Sequence, residues 1–451
     1  MVNKLGRIFN PRTAAIIGAT DRIGSVGAGL VKNMLLGEGE RKVFLVNPNQ
    51  NEIFGRKTFP IITDIPEVVD LAIVAVPASI VLKVVEDCCK KKVGGIIVIS
   101  AGFSEIGSKG EKIQNELAEM TCRAGIALVG PNCLGIINTK NNLNASFAPA
   151  TPPKGNVALI SQSGAILDIL ADKAAEENYG ISSMVSYGNE AGVTLTDFLK
   201  SFAEDVETKV IALYLEGLKD GRKFMEIAKR IVSKKPIIVI KAGKNYEGQR
   251  AIKSHTGTMA GDYQVYKSAF KQSGVIETDS LEELLDVSKI LALESKCENS
   301  VAIITNGGGC GVLAADYCKS QGINLAELSK DTISRISGSA EMPSLWSKSN
   351  PIDIVGDASP ARYKVAIEAV LSQKNIRGLI IIQTPQIMTD PLENAKIIVE
   401  AKRLFPKKPI VCFFLGGKMS SEAIKFLEDN NIPNYGELKR GIIALRALTR
   451  Y

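Results

Sequence analysis

The stretch Ala14-Ala15-Ile16-Ile17-Gly18-Ala19-Thr20-Asp21-Arg22-Ile23-Gly24-Ser25-Val26-Gly27 decides the fold. An apolar run enters a glycine-rich turn, and a helix is expected to begin near Ser25. The run is continuous rather than alternating. It therefore needs cover on both faces, which means a parallel sheet between helices. The same opening recurs at Val157-Ala158-Leu159-Ile160-Ser161-Gln162-Ser163-Gly164-Ala165 and at Ile304-Thr305-Asn306-Gly307-Gly308-Gly309-Cys310-Gly311.

Strands of the same β-branched kind are expected throughout. In the first third they are Thr13–Ile17, Lys42–Val46, Leu71–Val76, Gly95–Ser100 and Ile126–Val129. In the second third they are Asn156–Ile160, Ser183–Ser186, Val210–Leu215 and Ile237–Lys241. Val301–Thr305, Leu379–Gln383 and Pro409–Leu415 follow in the last third. Strand–helix repetition predicts an α/β chain of three doubly wound parallel-sheet domains. Linkers read at Asn138–Gly155 and Glu294–Ser300 divide it into residues 1–140, 150–293 and 300–451. A length of 451 residues fits about three domains.

Composition narrows the function classes. Apolar residues make up 45 % of the chain, enough for buried cores, and the net charge is +7. The charges are interspersed, and the longest basic block is Lys90-Lys91-Lys92, without aromatic interleaving. That pattern favours anionic small molecules over nucleic acid. Met1-Val2-Asn3-Lys4-Leu5-Gly6 carries no signal-peptide core, and no apolar run approaches the length of a membrane span. The eight cysteines include the adjacent Cys88 and Cys89 but no Cys-x-x-Cys pair. A reduced, cytoplasmic chain is expected.

The turns suggest anion sites with particular limits. Exposed N–H groups and a helix dipole at the Gly18–Gly27 turn favour a phosphate, although tight helix–sheet packing alone explains the same glycines. A nicotinamide-dinucleotide fingerprint would need Gly-x-Gly-x-x-Gly and an acid ending the second strand. The chain has Gly18, Gly24 and Gly27, and its second strand ends in Asn47-Pro48. In the second opening Ser163 is placed as helix N-cap, leaving the turn free to hold an anion. Ile166, Leu167, Ile169 and Leu170 are read as that helix's inner face. No Gly-Lys-Ser/Thr ending occurs anywhere, so no P-loop is present.

His255 is the only histidine. It stands in Lys253-Ser254-His255-Thr256-Gly257-Thr258-Met259-Ala260-Gly261, read as a mobile loop rich in small and hydroxyl residues. An imidazole there is a base, a nucleophile or a metal ligand, and a multi-histidine zinc site is impossible. No metal site is expected. Glu216 closes the strand Val210–Leu215, at the edge where α/β sheets bind ligands. It is either a solvated strand-end carboxylate or the group that orients His255. Cys133 reads as a small buried turn residue rather than a nucleophile, since no second histidine exists to activate it.

Seven stretches, taken in order, resemble one family. They are Gly18-Ala19-Thr20 with Ser25-Val26-Gly27, Ser100-Ala101-Gly102-Phe103, Gly130-Pro131-Asn132-Cys133-Leu134-Gly135, Ser161-Gln162-Ser163-Gly164-Ala165, Tyr187-Gly188-Asn189-Glu190, Leu215-Glu216-Gly217 and Ser254-His255-Thr256-Gly257. The chain resembles the NDP-forming acyl-CoA synthetases, relatives of succinyl-CoA synthetase, and most of all the α subunit of the archaeal-type ADP-forming acetate–CoA ligases. The resemblance implies a Rossmann-like CoA-binding domain and two flavodoxin-like succinyl-CoA-synthetase-type domains. In succinyl-CoA synthetase the third of these belongs to the other subunit; here Thr305–Gly311 and Asn350–Asp357 look like it on the same chain.

The resemblance also implies site residues. CoA or acyl-CoA would meet Gly18, Ala19, Thr20, Ser25, Val26, Gly27, Asn47, Val76, Pro77, Ser100, Ala101 and Gly102. Substrate and phosphate would meet Asn132, Cys133, Gln162, Ser163, Gly164 and Ala165. His255 would become a phosphohistidine, held by Glu216. ADP or ATP with Mg2+ would sit on a separate ATP-grasp β subunit in an α2β2 heterotetramer. The implied reaction converts acyl-CoA, phosphate and ADP to acid, CoA and ATP. Two other classes compete. A non-catalytic CoA-sensing module would not need His255, Glu216 and Ser163 together, and a Rossmann-type oxidoreductase would need the dinucleotide details the first turn lacks.

Overall fold

The computed structural model describes residues 2–256 and 261–450, with side chains over 5–252 and 261–449. The chain forms two compact units, residues 1–285 and 286–451.

The first unit holds two sheets. The strands of the first are β1 (Thr13–Ile17), β2 (Lys42–Val46), β3 (Glu52–Ile53), β4 (Arg56–Phe59), β5 (Leu71–Val74), β6 (Gly95–Val98) and β7 (Ala127–Val129), in the order β3-β4-β2-β1-β5-β6-β7. All pairings are parallel except β3 with β4. Counting only the parallel strands, this is the Rossmann order, which reverses between β1 and β5. The second sheet contains β8 (Gly135–Asn138), β9 (Leu143–Ser146), β10 (Lys154–Ser161), β11 (Ile181–Ser186), β12 (Val210–Leu215), β13 (Ile237–Lys241) and β14 (Ile276–Thr278), in the order β14-β13-β12-β10-β11-β8-β9. Its five later strands are parallel in the flavodoxin order, whereas β8 and β9 run antiparallel on the edge.

The stretch Asn138–Gly155 is therefore not a free linker. It carries β9, which pairs with β8. The Asn33 side chain, on helix Val26–Leu35, donates to the carbonyls of Ser146 and Ala148 at 2.9 and 3.0 Å. Phe9 adds ring contacts to Phe198 and Phe202, with centroids 6.3 and 5.4 Å away. The two sheets of this unit are thus joined by a continuous apolar cluster. Polarity conceals these edge strands: Leu143-Asn144-Ala145-Ser146 has little β propensity, and of its buried polar groups Ser146 donates to Asn144, which donates to Thr151.

The first turn is packed very tightly. A Cβ on Gly27 would come within 2.3 Å of the Gly18 carbonyl oxygen, and Gly18 itself has φ +91° with no room beside Ala75. Helix Val26–Leu35 is N-capped by Ser25, whose hydroxyl accepts from the Ala28 amide. Helix–sheet packing accounts for both glycines.

The second unit has β15 (Val301–Thr305), β16 (Ile352–Asp353), β17 (Gly378–Gln383) and β18 (Ile410–Phe414) in the parallel order β16-β15-β17-β18. A Cβ on Gly308 would lie 2.5 Å from an Asp353 carboxylate oxygen. An acid of the chain therefore already stands at the start of helix Gly308–Ser320, where the dipole favours negative charge. Among the described residues no helix is long and apolar enough to cross a membrane.

Candidate active site

Parallel strands gather their carboxyl ends on one side of a sheet, and in the first unit these ends line a cavity of about 1110 Å³. Val76 follows β5, Ser100 and Ala101 follow β6, and Asn132, Cys133 and Leu134 follow β7. The second sheet contributes Gln162 to Ala165 after β10, Gly188 to Glu190 after β11, and Glu216 to Lys219 after β12. Of the residues expected from the sequence, Val26, Val76, Ser100, Ala101, Asn132, Cys133, Gln162, Ser163, Gly164, Ala165 and Glu216 are brought together here. Gly18, Ala19, Thr20, Ser25, Gly27, Asn47, Pro77 and Gly102 do not line it. Asn47 instead ties the first turn to the sheet, donating to the Ala19 carbonyl at 2.8 Å.

His255 is the second correction. It falls in the last turn of a helix, Tyr246–Thr256, rather than in a loop. Asn245 begins that helix by accepting from the Gly248 amide at 2.9 Å, and the Gln-Arg-Ala-Ile-Lys run that follows sustains it. The His255 side chain and residues 257–260 lie outside the described residues.

Gln162 joins two walls of the cavity. Its Oε1 accepts from the amides of Glu216 and Gly217 at 2.5 and 2.9 Å. Ser163 caps helix Gly164–Glu176 by accepting from the Ile166 amide. The amides of Gly164 and Ala165 have no intrahelical acceptor in this first turn, and both residues line the cavity. That combination suits an anion. The helix's inner face is narrower than expected: Leu167 and Leu170 are buried, whereas Ile169 is 45 % exposed.

Across the cavity, Asn132 adopts φ +58° and donates from its amide to Asn189 Oδ1 at 3.2 Å. Asn189 in turn donates to Glu105 at 2.6 Å and to Gln114 at 3.0 Å. Burial works against the charged form of Glu105, but hydrogen bonds from the Gly102 amide and Asn189 outweigh it and leave the carboxyl below its ordinary range. Cys133 is buried with its thiol on the Val98 carbonyl, and burial pushes it up to about 12, so it stays protonated.

Glu216 is only 6 % exposed. Beneath it, the buried Lys241 donates to the carbonyls of Glu216 and Ala242 at 2.8 and 2.5 Å and lies over the Tyr266 ring at 4.5 Å. Burial lowers Lys241 to about 8, against the opposing pull of Glu216. Burial, then the charge of Glu216 and a hydrogen bond to it, raises the Tyr214 phenol to about 12. The carboxylate is thus seated in a prepared setting rather than left in solvent.

Several of these groups were not singled out from the sequence. Asn189 lies inside the Tyr187–Glu190 motif, and Lys241 ends an otherwise apolar strand. Asp168 could have been found by helix spacing, since it stands one turn beyond Gly164. It lines the cavity, and one of its carboxylate oxygens is buried without a hydrogen-bond partner among the described residues. Burial raises its pKa. A carboxyl that holds its proton more tightly when folded makes the folded state less stable above its raised pKa, and this cost disappears as pH falls below the ordinary carboxyl range. Asp168→Asn is therefore expected to raise the melting temperature at neutral pH, with the gain vanishing near pH 3. Thermal unfolding at both pH values checks this, and an equal gain at both would refute the explanation.

Comparison with known proteins gives this geometry its context. Three family models match in succession: a CoA binding domain over residues 12–139, a succinyl-CoA ligase like flavodoxin domain over 154–291, and a ligase-CoA domain over 301–448. The α subunit of ADP-forming acetate–CoA ligase I from Pyrococcus furiosus is 39 % identical over 99 % of this chain and 97 % of its own. The chain belongs to the ADP-forming acetate–CoA ligase family. Another member, ADP-forming acetate–CoA ligase I of Archaeoglobus fulgidus, is 42 % identical over 99 % of this chain, which spans only 63 % of that relative. Among solved structures, the dinucleotide forming acetyl-coenzyme A synthetase 1 of Ca. Korarchaeum cryptofilum, in complex with phosphate and ADP, superposes with a TM-score of 0.91 at 38 % identity. That match covers 98 % of this chain and 96 % of the other. Within the acetate–CoA ligase family, then, the cavity lies across the parts matched by the CoA binding and succinyl-CoA ligase like models.

Proposed function

We propose that this chain is the α-type subunit of an ADP-forming acyl-CoA synthetase, with acetyl-CoA as its principal thioester. The observation that carries the reading is the convergence of Asn132, the Ser163–Ala165 helix start and the buried Glu216 on one cavity. CoA enters along Val76, Ser100 and Ala101, with Asn132 near the thioester carbonyl. Phosphate rests on the Gly164 and Ala165 amides. A phosphate oxygen attacks the thioester carbon and the C–S bond breaks, giving acyl phosphate and CoA thiolate, which takes a proton. His255 then attacks phosphorus, and the acid leaves as its carboxylate. The phosphohistidine passes its phosphoryl group to ADP on an ATP-grasp subunit, in an α2β2 complex in the cytoplasm. Positioning and charge stabilisation supply most of the catalysis in such transfers.

The test is to incubate the complex with γ-labelled ATP and Mg2+. Acid-labile, base-stable label is expected on this chain, discharged by acetate plus CoA. Absence of label, or label that acetate and CoA leave untouched, would overturn the proposal.

A further inference from the structure

Beside the main cavity lies a smaller one of about 60 Å³. The two share Glu190 and the Gly217–Lys219 wall. A single water needs roughly 10–15 Å³ on this measure, so the space takes about four heavy atoms. Tyr187 lines it, at the carboxyl end of β11, and is 1 % exposed. Its hydroxyl has no hydrogen-bond partner among the described residues. A buried phenol left without an acceptor is rare and costly, and it calls for a ligand or water.

The other polar groups limit what that ligand can be. Lys219 is already engaged, donating to the carbonyls of Asn189 and Glu190 at 3.0 and 2.8 Å. Glu190 accepts from the Leu195 amide at 2.6 Å and stands 3.9 Å from the Lys219 ammonium. Lys223 and Asp220, opposite in charge, lie at the exposed end of the cavity. The lining therefore offers a donor in Tyr187 and an acceptor in Glu190, whose pKa burial raises; the two threonine hydroxyls already bond to each other, and Thr194 also to Asp197. Burial also keeps the phenol protonated, well above its usual range.

We infer that this cavity is a subsite for the tail of the acyl substrate, built for a short chain ending in a hydroxyl group. A hydroxyl accepts from Tyr187 and donates to Glu190, whereas a methyl leaves the phenol unpaired. With acetate the space holds water. The inference rests on the proposed reaction, because it takes the thioester to lie in the main cavity.

The experiment measures kcat/KM of the complex for matched acids: 3-hydroxypropanoate against butanoate, and 4-hydroxybutanoate against pentanoate and succinate. The hydroxy acids are expected to lead their methyl counterparts about tenfold. Tyr187→Phe should abolish that lead and leave acetate turnover within about twofold. Equal use of hydroxyl and methyl tails by the unaltered complex, a preference for succinate, or a lead that survives Tyr187→Phe would each overturn the inference. The unaltered complex tests it even if the variant fails to fold. Phosphoryl labelling by ATP requires no acid, so it shows separately whether the proposed reaction stands.

Discussion

Replacement of His255 by alanine is expected to remove all phosphoryl label from this chain and to lower ATP formation by about 10⁴-fold or more, the scale on which losing a covalent nucleophile acts. The size of the effect follows from the sequence. There is one imidazole in 451 residues, so no neighbour can replace it. The Cys133 thiol at the cavity cannot compensate either, because burial holds it protonated. The fold should be unaffected, since alanine is a better helix former than histidine and position 255 belongs to the last turn of a helix. Thioester cleavage by phosphate, followed as CoA release in a single turnover, should survive, because that step precedes transfer to the imidazole. An enzyme that kept its label after this change would have its phosphoryl carrier elsewhere, and the proposed sequence of steps would fall with it.

The fold was legible wherever strands are central. β1, β2, β12, β13 and β15 coincide with the β-branched runs, because a strand buried on both faces must be continuously apolar. Expected strands that ran long, such as Leu71–Val76 and Gly95–Ser100, end earlier, at Val74 and Val98. The excess residues in each case are site residues at the strand's carboxyl end. Edge pieces such as β3, β4, β8 and β9 were not legible. They are short and partly polar, and they stand at the sheet edges or next to them, so their sequence carries little periodic signal.

The site divides along similar lines. Turn residues of the second sheet were legible because a serine N-cap before a glycine has a local mechanism. The Asn132–Asn189–Glu105–Gln114 chain was not, since it joins two sheets through residues up to 84 positions apart. The first turn reads two ways. Helix packing against the Gly18 carbonyl is sufficient reason for Gly27, and the CoA binding model spans the same turn. The small and hydroxyl residues around His255 suggest a loop, but the stronger helix formers preceding it extend their helix through it.

The second large effect is expected from Glu216→Gln, which should slow phosphorylation of this chain about 10²- to 10³-fold while leaving CoA affinity unchanged. The substitution is isosteric, two contacts that seat residue 216 use its backbone, and a glutamine oxygen can still accept the hydrogen bond from the Tyr214 phenol. Gln162 accepts from its amide, and Lys241 donates to its carbonyl. The loop should therefore keep its shape and the melting temperature should barely move. What changes is charge. A carboxylate held 6 % exposed above a lysine and beside a tyrosine can fix one tautomer of an imidazole and stabilise the cationic ring formed on phosphoryl transfer; an amide can do neither. Lys241 provides an independent readout. The charge of Glu216 opposes the burial that lowers this lysine to about 8, so in the glutamine variant its pKa should fall further. A titration of Lys241 that shifts downward together with slow phosphorylation assigns the loss to charge. Wild-type phosphorylation in the variant would instead leave Glu216 a structural carboxylate and remove it from the mechanism.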